Sequence, residues 1–334
     1  MLAPSMPGAT DMRVVRLAAV PAAELAAISR TALDRPLSGS AELVVTVPSD
    51  SAVVLGSMQR FSELASASLP DDVRVVRRGS GGAEAEVGPG TVWMQLALAS
   101  PSALVACEPG RLLNRYVRPL LRALAKVGAV AHYYDRDWIS ASKSPIASVS
   151  FGHDSTTGRS VVEAIVAVTT PFAVRDRPSF LGKAPRTLRG VGVDPDVDAG
   201  RVADAVIDAY TSTYGIGELA LDTASEMTTR ALAKDHHSAV TEDPRSDPPW
   251  AATREEAIGI VAAGRDNKGR LRVGGELMAS RDVIAMLEKE IAAAAGDAAR
   301  IDRAVDRLAG AEVAMLGVTS LRSIRDAIEE ALSR

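Results

Sequence analysis

Short runs of β-branched and aliphatic residues, separated by brief turns, dominate the first half of the chain. These runs occupy residues 41–48, 51–57, 72–78, 91–100, 131–141, 145–151 and 160–172. Strands joined by short turns pair antiparallel, because a parallel pair needs a crossover of a dozen or more residues. Amphipathic patterns at 21–34 and 109–127 place helices among the strands, without a run of βαβ units. The pattern predicts an α+β fold with a mostly antiparallel sheet.

A second region begins near residue 196 and is mainly helical. Its predicted elements are helices at 198–215 and 216–234, a proline-rich loop at 235–256, a hairpin at 257–277, and helices at 280–296, 298–308 and 319–333. The hairpin is indicated by the sequence Asp-Asn-Lys-Gly at 266–269, since turns of this composition join antiparallel strands. We therefore expect a larger domain over residues 1–195 and a small α/β domain over 196–334.

Charge and cysteine content exclude several classes of protein. The 334 residues carry 38 basic and 42 acidic side chains, so the formal charge of −4 argues against nucleic-acid binding by bulk positive charge. A single cysteine excludes a disulfide framework and a cysteine-rich metal site, and it fits a reducing compartment. The sequence has neither an apolar stretch of about 18 residues nor a recognisable secretory start. We expect a cytoplasmic protein without a membrane span.

The most informative local motif is Arg-Arg-Gly-Ser-Gly-Gly at residues 77–82, at the end of a predicted strand. Glycines expose backbone N–H groups and let a phosphate or carboxylate approach closely. The two arginines add positive charge and fork-shaped donors for the same anions. A P-loop is excluded because no Gly-Lys-Ser/Thr follows. The motif predicts an anion-binding hairpin, and the alternative is a flexible hairpin with solvated arginines.

Three further motifs have a plainer structural interpretation beside the chemical one. Ser140 and Lys143 have the spacing of the Ser-x-x-Lys acyl-transfer motif, but that motif begins a helix and this context predicts a strand. His236 and His237 are adjacent in a polar loop, where two histidines seldom share a metal ion. Cys107 has no basic or histidine neighbour in the sequence and is more typical of a small buried residue than of a nucleophile.

Four segments resemble, in the same order, those of one family. Residues 51–64 are similar to its P-x-V-V-I-G-x-x-Q-x-x-x-E segment, and residues 77–98 are similar to its hairpin R-R-x-S-G-G-G-A-V-x-H-x-x-G-N. Residues 136–151 lie where the family has an aspartate followed by K-I-S-G-S-A, and residues 273–291 are similar to its small accessory domain. The family is that of the lipoate–protein ligases and octanoyltransferases, which is related to biotin protein ligase.

The resemblance implies a fold, a cofactor and a set of binding residues. The fold is a biotin/lipoate ligase-like core, related to class II synthetases, over residues 1–195, followed by the accessory domain. In this family the Gly-rich hairpin wraps the acyl group and its adenylate, so ATP and Mg²⁺ are implied, with no metal held by protein ligands alone. The residues carried over to the binding site are Arg77, Arg78, Gly79, Ser80, Gly81, Gly82, Ala83, Thr91, Asp137 and Ala147.

This chain departs from the family pattern within the hairpin. Ala83 replaces the third glycine and Thr91 replaces the motif asparagine. Glu84 and Glu86 bring negative charge where the family has apolar or histidine residues. These changes alter the very segment that would surround two anions, an acid and a phosphate.

The family's catalytic lysine, which engages the acyl carbonyl and the phosphate, aligns with Pro145. Lys143 lies two residues earlier, so on a strand it would point to the same face, displaced by about 6.6–6.8 Å. We therefore expect Lys143 to serve as the catalytic lysine, and the alternative is an ordinary exposed lysine.

Three functions are consistent with this pattern. The first is a ligase that activates lipoate or an octanoate-like acid with ATP and transfers it to a lipoyl carrier domain of a dehydrogenase complex or a glycine cleavage protein. The accessory-like C-terminal region favours it. The second is a non-catalytic or repurposed protein that binds an acyl ligand, a nucleotide or a partner domain, favoured by the missing lysine. The third is an octanoyl or lipoyl transferase, but Cys107 falls outside the acyl-site segments.

Overall fold

The structure is a computed structural model that describes residues 11–65, 67–215, 218–220, 243–256, 259–294, 296–309, 315–316 and 320–334. Its strands are β1 (Met12–Arg16), β2 (Ala41–Thr46), β3 (Ala52–Leu55), β4 (Arg74–Arg77), β5 (Ala85–Val87), β6 (Thr91–Leu98), β7 (Ala131–Tyr133), β8 (Trp138–Ala141), β9 (Ser144–His153), β10 (Ser160–Ala167), β11 (Glu218–Ala220), β12 (Ala252–Glu256), β13 (Gly259–Arg265), β14 (Leu271–Gly275), β15 (Met278–Ala279) and β16 (Met315–Leu316). Its α-helices are α1 (Ala22–Thr31), α2 (Leu112–Tyr116), α3 (Arg118–Lys126), α4 (Ala199–Tyr214), α5 (Arg281–Ala294), α6 (Ala298–Asp306) and α7 (Leu321–Ser333).

Eight strands form one large sheet, in the order β11-β1-β2-β6-β10-β9-β8-β7. β1 runs parallel to both of its neighbours, and α1 makes the crossover from β1 to β2. The remaining neighbours pair antiparallel, from β2 across to the edge strand β7. The predicted α+β fold with a mostly antiparallel sheet is confirmed.

Side chains that alternate along the central strands divide the large sheet into two faces. On β10, Val162, Ala164 and Val166 lie in the core beneath α2, α3 and α4, whereas Ile165 lies on the opposite face. That second face is covered by α1 and by a small sheet in which β3 is parallel to β4 and antiparallel to β5. The glycine-rich segment connects β4 to β5, so it lies over the second face.

The amphipathic stretch at 109–127 folds as two helices rather than one. α2 and α3 follow each other directly, and Pro119 lies in the first turn of α3. Proline has no N–H donor and is tolerated in a first turn, so the helix is interrupted there. Leu120 and Leu124 nevertheless face the same core as α2, which confirms the predicted apolar face.

The C-terminal part of the chain has a core of its own. β12, β13 and β14 form an antiparallel sheet, against which α5, α6 and α7 pack through side chains such as Val261, Leu287 and Ile324. The β13–β14 hairpin turns at residues 266–269, with Gly269 at a φ of 75°. The hairpin predicted from the Asp-Asn-Lys-Gly sequence is confirmed.

The segment between the two cores differs in part from expectation. α4 packs on the large sheet through Val202, Val206 and Tyr210, so the predicted division at 195–196 separates this helix from the sheet that it covers. Of the helix expected at 216–234, the described residues are 218–220, and they form strand β11. Residues 216–217 and 221–242, with His236 and His237, lie outside the described residues. No described helix is long and apolar enough to cross a membrane.

Candidate functional site

The backbone amides of the glycine-rich segment, residues 79–83, are used inside the fold. Four of them donate to protein acceptors: Gly79 to Ser29 Oγ at 2.7 Å, Ser80 to Glu163 Oε2 at 3.1 Å, Gly81 to the Phe151 carbonyl at 3.0 Å, and Gly82 to the Leu277 carbonyl at 3.1 Å. The expectation that these amides are free to bind a phosphate is therefore wrong for this arrangement. The physical reason is that buried acceptors, the Glu163 carboxylate above all, require donors.

The glycines of this segment allow protein backbone, rather than a ligand, to come close. A Cβ on Gly79 would lie 2.3 Å from the Ser29 carbonyl oxygen, and a Cβ on Gly81 would lie 2.6 Å from that of Leu277. Gly82 has a φ of 80°, a conformation that side chains rarely adopt. The segment is thus packed between α1 on one side and the C-terminal region on the other.

The side chain of Arg78 holds the glycine-rich segment through hydrogen bonds. Its side chain is fully buried, Nε donates to Ser80 Oγ at 2.9 Å, and Nη2 donates to the carbonyls of Gly81 and Ala83 at 2.7 and 2.8 Å. Burial lowers the pKa of the guanidinium, which the nearby Glu163 and Glu84 oppose. Nη1 is buried and has no hydrogen-bond partner. Arg78 therefore holds the loop in shape and keeps one unused donor.

Arg77 is the last residue of β4 and points away from Arg78, because successive side chains of extended backbone alternate in direction. Its Nη2 donates to the Gln59 carbonyl at 3.0 Å and pairs with Asp247 of the C-terminal region. It lies on the wall of a cleft of about 490 Å³, the junction cleft, between the two cores. On the same wall, Arg272 pairs with Glu288 at 2.6 Å. The Arg77–Asp247 pair crosses the junction, whereas the Arg272–Glu288 pair lies within the C-terminal part of the chain.

A layer of buried acidic and basic side chains lies beside the glycine-rich segment. Glu84 accepts from Arg175 Nε at 2.9 Å, and Arg175 also pairs with Glu276. Burial opposes ionisation of Glu84, but the guanidinium groups of Arg177 and Arg175 outweigh it and lower the pKa of its carboxyl. Burial raises the pKa of Glu276, and the charge of Glu84 adds to that effect. Two carboxylates thus share one arginine, which favours a proton on Glu276.

Asp137 belongs to the same layer, as the resemblance implies. Its Oδ2 accepts from Arg177 Nη1 at 2.8 Å, and both side chains are almost completely buried. Burial opposes the charge of Arg177, but Asp137 outweighs it and raises the pKa of the guanidinium. Asp137 Oδ1 and Arg177 Nη2 have no partner. With Arg78 Nη1, the layer therefore offers two donors and one acceptor that the protein leaves unsatisfied.

Two predicted binding residues lie elsewhere. Ala147 packs in the core beneath the helices, because β9 alternates and the neighbouring Ser148 and Ser150 take the second face. Ser150 Oγ lies 2.7 Å from Ser80 Oγ. Thr91 closes a turn: its Oγ1 accepts from the Gly88 N–H and donates to the Gly88 carbonyl, each at 3.0 Å. The observed contacts of Ala147 and Thr91 therefore lie away from the glycine-rich segment, and their contact with a ligand stays a prediction.

Lys143 does not lie on a strand. It follows Ser142 in the two-residue turn between β8 and β9, where both residues have positive φ, and its side chain is exposed. Ser150, which contacts the glycine-rich segment, is seven residues further along β9, roughly 23 Å at 3.3 Å per residue. The strand-face argument for Lys143 is therefore wrong, because the residue lies in a turn, and a catalytic role for Lys143 stays a prediction.

A different lysine, Lys183, lies beside the strand pair where the family pattern expects one. Its Nζ is 5.1 Å from the centroid of the Trp138 ring, a cation–π contact. The Arg186 N–H donates to the Pro145 carbonyl at 2.8 Å, which ties this loop to the position aligned with the family lysine. Lys183 belongs to the loop that follows β10. Because it is distant in sequence from Pro145, the motif around Pro145 could not predict that this lysine lies nearby.

Lys183 forms part of the wall of a cleft of about 380 Å³, here called the acyl cleft. The lining residues are Pro171, Ala173, Arg175, Asp176, Gly182, Lys183, Ala184 and Pro185. Prolines and alanines provide an apolar surface, Arg175 and Lys183 provide two cations, and Asp176 adds one carboxylate, which accepts the Arg177 N–H at 2.9 Å. This combination suits an aliphatic acid whose carboxylate meets the cations.

Other predicted candidates contribute no chemistry to this layer. Burial raises the pKa of the Cys107 thiol to about 11, although Arg115 opposes the shift, and its Sγ donates to the Glu108 carbonyl at 3.2 Å. The thiol is therefore protonated and poorly nucleophilic. Ser140 is buried while Lys143 is exposed, so the Ser-x-x-Lys motif is not assembled. The described residues contain no cluster of His, Cys, Asp or Glu able to hold a metal ion.

Sequence reasoning missed Glu163, Arg175, Arg177 and Glu276. Glu163 accepts from Trp93 Nε1 at 2.9 Å as well as from Ser80 and Ser29. A signal for it exists, because it is a lone charge in the apolar run 160–168, and such residues are buried only with partners. The other three lie on loops with no pattern that distinguishes them.

No protein-family model and no curated protein matches this chain. Among solved structures, it is similar to P. falciparum LipL1 in complex with lipoate, with 11% identity and a TM-score of 0.61 over 96% of this chain and 99% of that one. It is also similar to the bipartite lipoate–protein ligase of the archaeal lipoylation system of Thermoplasma acidophilum, with 14% identity and a TM-score of 0.53 over 71% and 97%. A third is a lipoate–protein ligase A bound with ATP, with 14% identity and a TM-score of 0.51 over 68% and 96%.

These likenesses define the class of fold. The chain has the fold of the lipoate–protein ligases, which confirms the fold expected from the four resembling segments. At identities of 11–14% the fold is what the likeness establishes, and the chemistry has to be argued from the site itself.

Proposed function

We propose that this chain is a repurposed protein of the lipoate–ligase fold, which binds an aliphatic acid such as lipoate or octanoate without activating it. The observation that carries the proposal is the internal use of the amides of Gly79, Ser80, Gly81 and Gly82. An acid-activating site directs such donors at the reacting carboxylate and phosphate. Here they hold the protein together.

The charges around the segment support the same proposal. Forming an acyl adenylate brings a carboxylate against a phosphate, and preorganised positive charge and N–H donors must offset the repulsion. Glu84 and Glu163 instead place two carboxylates beside the segment, and the guanidinium of Arg78 is engaged with the loop itself. In this arrangement the amides of residues 79–82 are not available to ATP and Mg²⁺, so we assign no step to them.

Binding of the acid is supported by the acyl cleft. Its volume of about 380 Å³ lies within the range of small-molecule pockets, roughly 300–1,000 Å³. The alkyl chain would lie against prolines and alanines, and the carboxylate would lie between Arg175 and Lys183. Fork-shaped and ammonium donors are the usual partners of a carboxylate.

A second candidate function is an ATP-dependent ligase that transfers the acid to a lipoyl carrier domain in the cytoplasm. The position of Lys183 beside Pro145 and Trp138 favours it. This function requires the glycine-rich segment to release its internal hydrogen bonds when substrates bind. The carrier would be a domain of a dehydrogenase complex or a glycine cleavage protein.

Two measurements on the full chain separate these functions. Titration calorimetry with octanoate and with lipoate measures binding, and pyrophosphate release with ATP, Mg²⁺ and each acid, or biotin, measures activation. Binding without pyrophosphate release is the expected result. Pyrophosphate release supports the ligase instead, and absence of both signals overturns acid binding altogether.

The variants Lys183→Ala and Lys126→Ala provide a matched pair of lysines. We expect Lys183→Ala to weaken octanoate binding at least tenfold, because one of the two cations of the acyl cleft is lost. Lys126→Ala should bind octanoate like the parent, because Lys126 is an exposed residue of α3 that pairs with Asp208 on the helical face of the large sheet. Equal affinities for the two variants in calorimetry would contradict the placement of the acid in this cleft.

A further inference from the structure

A short segment of the C-terminal region, Glu276–Met278, lies directly on the candidate site. The Leu277 carbonyl accepts the Gly82 N–H at 3.1 Å. A Cβ on Gly81 would lie 2.9 Å from the Met278 Cα, so the two backbones are in close contact. Met278 Sδ also accepts the Phe151 N–H at 3.4 Å. We call residues 276–278 the closing segment.

Glu276 brings a carboxylate of the closing segment onto an arginine of the acyl cleft. Arg175 donates Nε to Glu84 and pairs with Glu276, whose side chain is 2% exposed. Arg175 therefore already faces two carboxylates, one from each part of the chain. The carboxylate of a bound acid would compete with Glu276 for the Arg175 guanidinium and would be repelled at short range by the charge of Glu84.

We infer that Glu276 occupies Arg175 in place of a ligand carboxylate, so that binding of an acid at Arg175 and docking of the closing segment oppose each other. The inference rests on the proposed acid-binding function. Opposition of this kind is reciprocal: the acid weakens the docking, and the docking weakens the affinity for the acid.

The closing segment is anchored on both sides, which confines the movement to a few residues. Before it, the Gly275 N–H donates to the Met58 carbonyl at 2.9 Å. After it, Arg281 pairs with Asp154 at 2.7 Å. Leu277 itself packs in the C-terminal core and Met278 pairs with Leu316 between β15 and β16, so the movement is a local shift of Glu276 and the Leu277 carbonyl.

The variants Glu276→Ala and Glu276→Gln test this inference, with Glu290→Ala as the control. Glu290 lies on α5 and pairs with Arg307, away from the acyl cleft. In calorimetry with octanoate we expect Glu276→Ala to bind about tenfold tighter than the parent, a typical size for coupling between two sites. The affinity of Glu276→Gln for octanoate should lie between those of the parent and of Glu276→Ala, and Glu290→Ala should bind octanoate like the parent.

Hydrogen exchange of the Gly82 amide gives a second readout. Octanoate should speed this exchange in the parent chain, because the hydrogen bond to Leu277 is lost. If octanoate binds the parent but binds both Glu276 variants equally or more weakly, the inference is overturned. If no variant binds octanoate, the acid-binding function fails. The contact between Glu276 and Arg175 is then tested by hydrogen exchange of the Gly82 amide measured without octanoate. Faster exchange in Glu276→Ala then supports the role of Glu276, and unchanged exchange overturns it.

Discussion

Glu63 is a buried carboxylate at the junction of the two cores. Its Oε1 accepts from Trp250 Nε1 at 2.7 Å and from the Arg60 N–H at 2.9 Å, and Oε2 accepts from Gln59 Nε2 at 3.1 Å. Burial raises the pKa of Glu63 to about 7 in spite of these donors. The side chain is therefore partly protonated at neutral pH, which is unusual for a glutamate.

This shift predicts how stability depends on pH. Between the ordinary pKa of 4.5 and the folded value of about 7, the folded chain binds more protons at Glu63 than the unfolded chain. The contribution of Glu63 to the free energy of unfolding is thus fully present below pH 4.5 and is lost as the pH rises to 7. The total loss is about 3 kcal/mol at most. Glu63→Gln should remove this part of the slope in urea unfolding between pH 5 and 7.5. Parallel slopes for the two proteins would show that Glu63 titrates normally.

At the level of single residues, the sequence predicted some of the site and could not predict the rest. Arg78 and Asp137 do lie in one buried layer, because both belong to continuous motifs. Lys143 was misplaced, because a turn of two residues replaced the strand on which its direction was argued. The acceptor of the Ser80 amide, Glu163, is 83 residues away, and only the folded sheet brings the two together.

Among the elements, the glycine-rich segment allows a sharp test. In Gly81→Ala the added Cβ would lie 2.6 Å from the Leu277 carbonyl oxygen, so one backbone has to move. We expect a loss of about 1–3 kcal/mol in the free energy of unfolding, the range for overpacking at a tight site. Gly110→Ala is the control, since its added Cβ meets nothing within 4 Å and its φ is not positive. If both variants unfold at the same urea concentration, the close contact with Leu277 does not exist in solution.

Helices and strands were predictable wherever the pattern was local. The apolar faces of α3 and α4 and the β13–β14 hairpin follow from spacing and turn composition alone. What spacing could not give is the partner of each strand. β2 and β3 are neighbours in sequence, and the short turn between them predicts a hairpin. They belong to different sheets, because β2 pairs with β6. Such pairing depends on contacts between distant segments.

For the whole molecule, Arg281 is the clearest link between the two cores. From the start of α5 it pairs with Asp34 at 2.6 Å and with Asp154 at 2.7 Å. Asp154 is largely buried, whereas the other two side chains are about 40–50% exposed, which limits the strength of their pair. The pair with Asp154 should therefore account for most of the stability that Arg281 contributes.

We expect Arg281→Met to lower the free energy of unfolding by about 1–2 kcal/mol, because it leaves the Asp154 carboxylate without its charged partner. Arg300→Met is the control, since Arg300 is exposed and its guanidinium lies 3.9 Å from Asp297, the exposed residue that caps the same helix. The free energy of unfolding of this control should differ from that of the parent by no more than about 0.5 kcal/mol. Urea unfolding measures both, and an equal effect would mean that the two cores do not depend on this link.

The three indole N–H groups of the chain all donate within the described site and junction. Trp93 donates to Glu163, Trp138 to the Ser179 carbonyl and Trp250 to Glu63. The sequence contains no other tryptophan, so the intrinsic fluorescence of the whole chain originates at these positions. Trp138 stands beside the acyl cleft and Trp250 beside the junction cleft. Phenylalanine at two of the three positions would therefore leave a label-free optical probe for either event, entry of an acid or loosening of the C-terminal core.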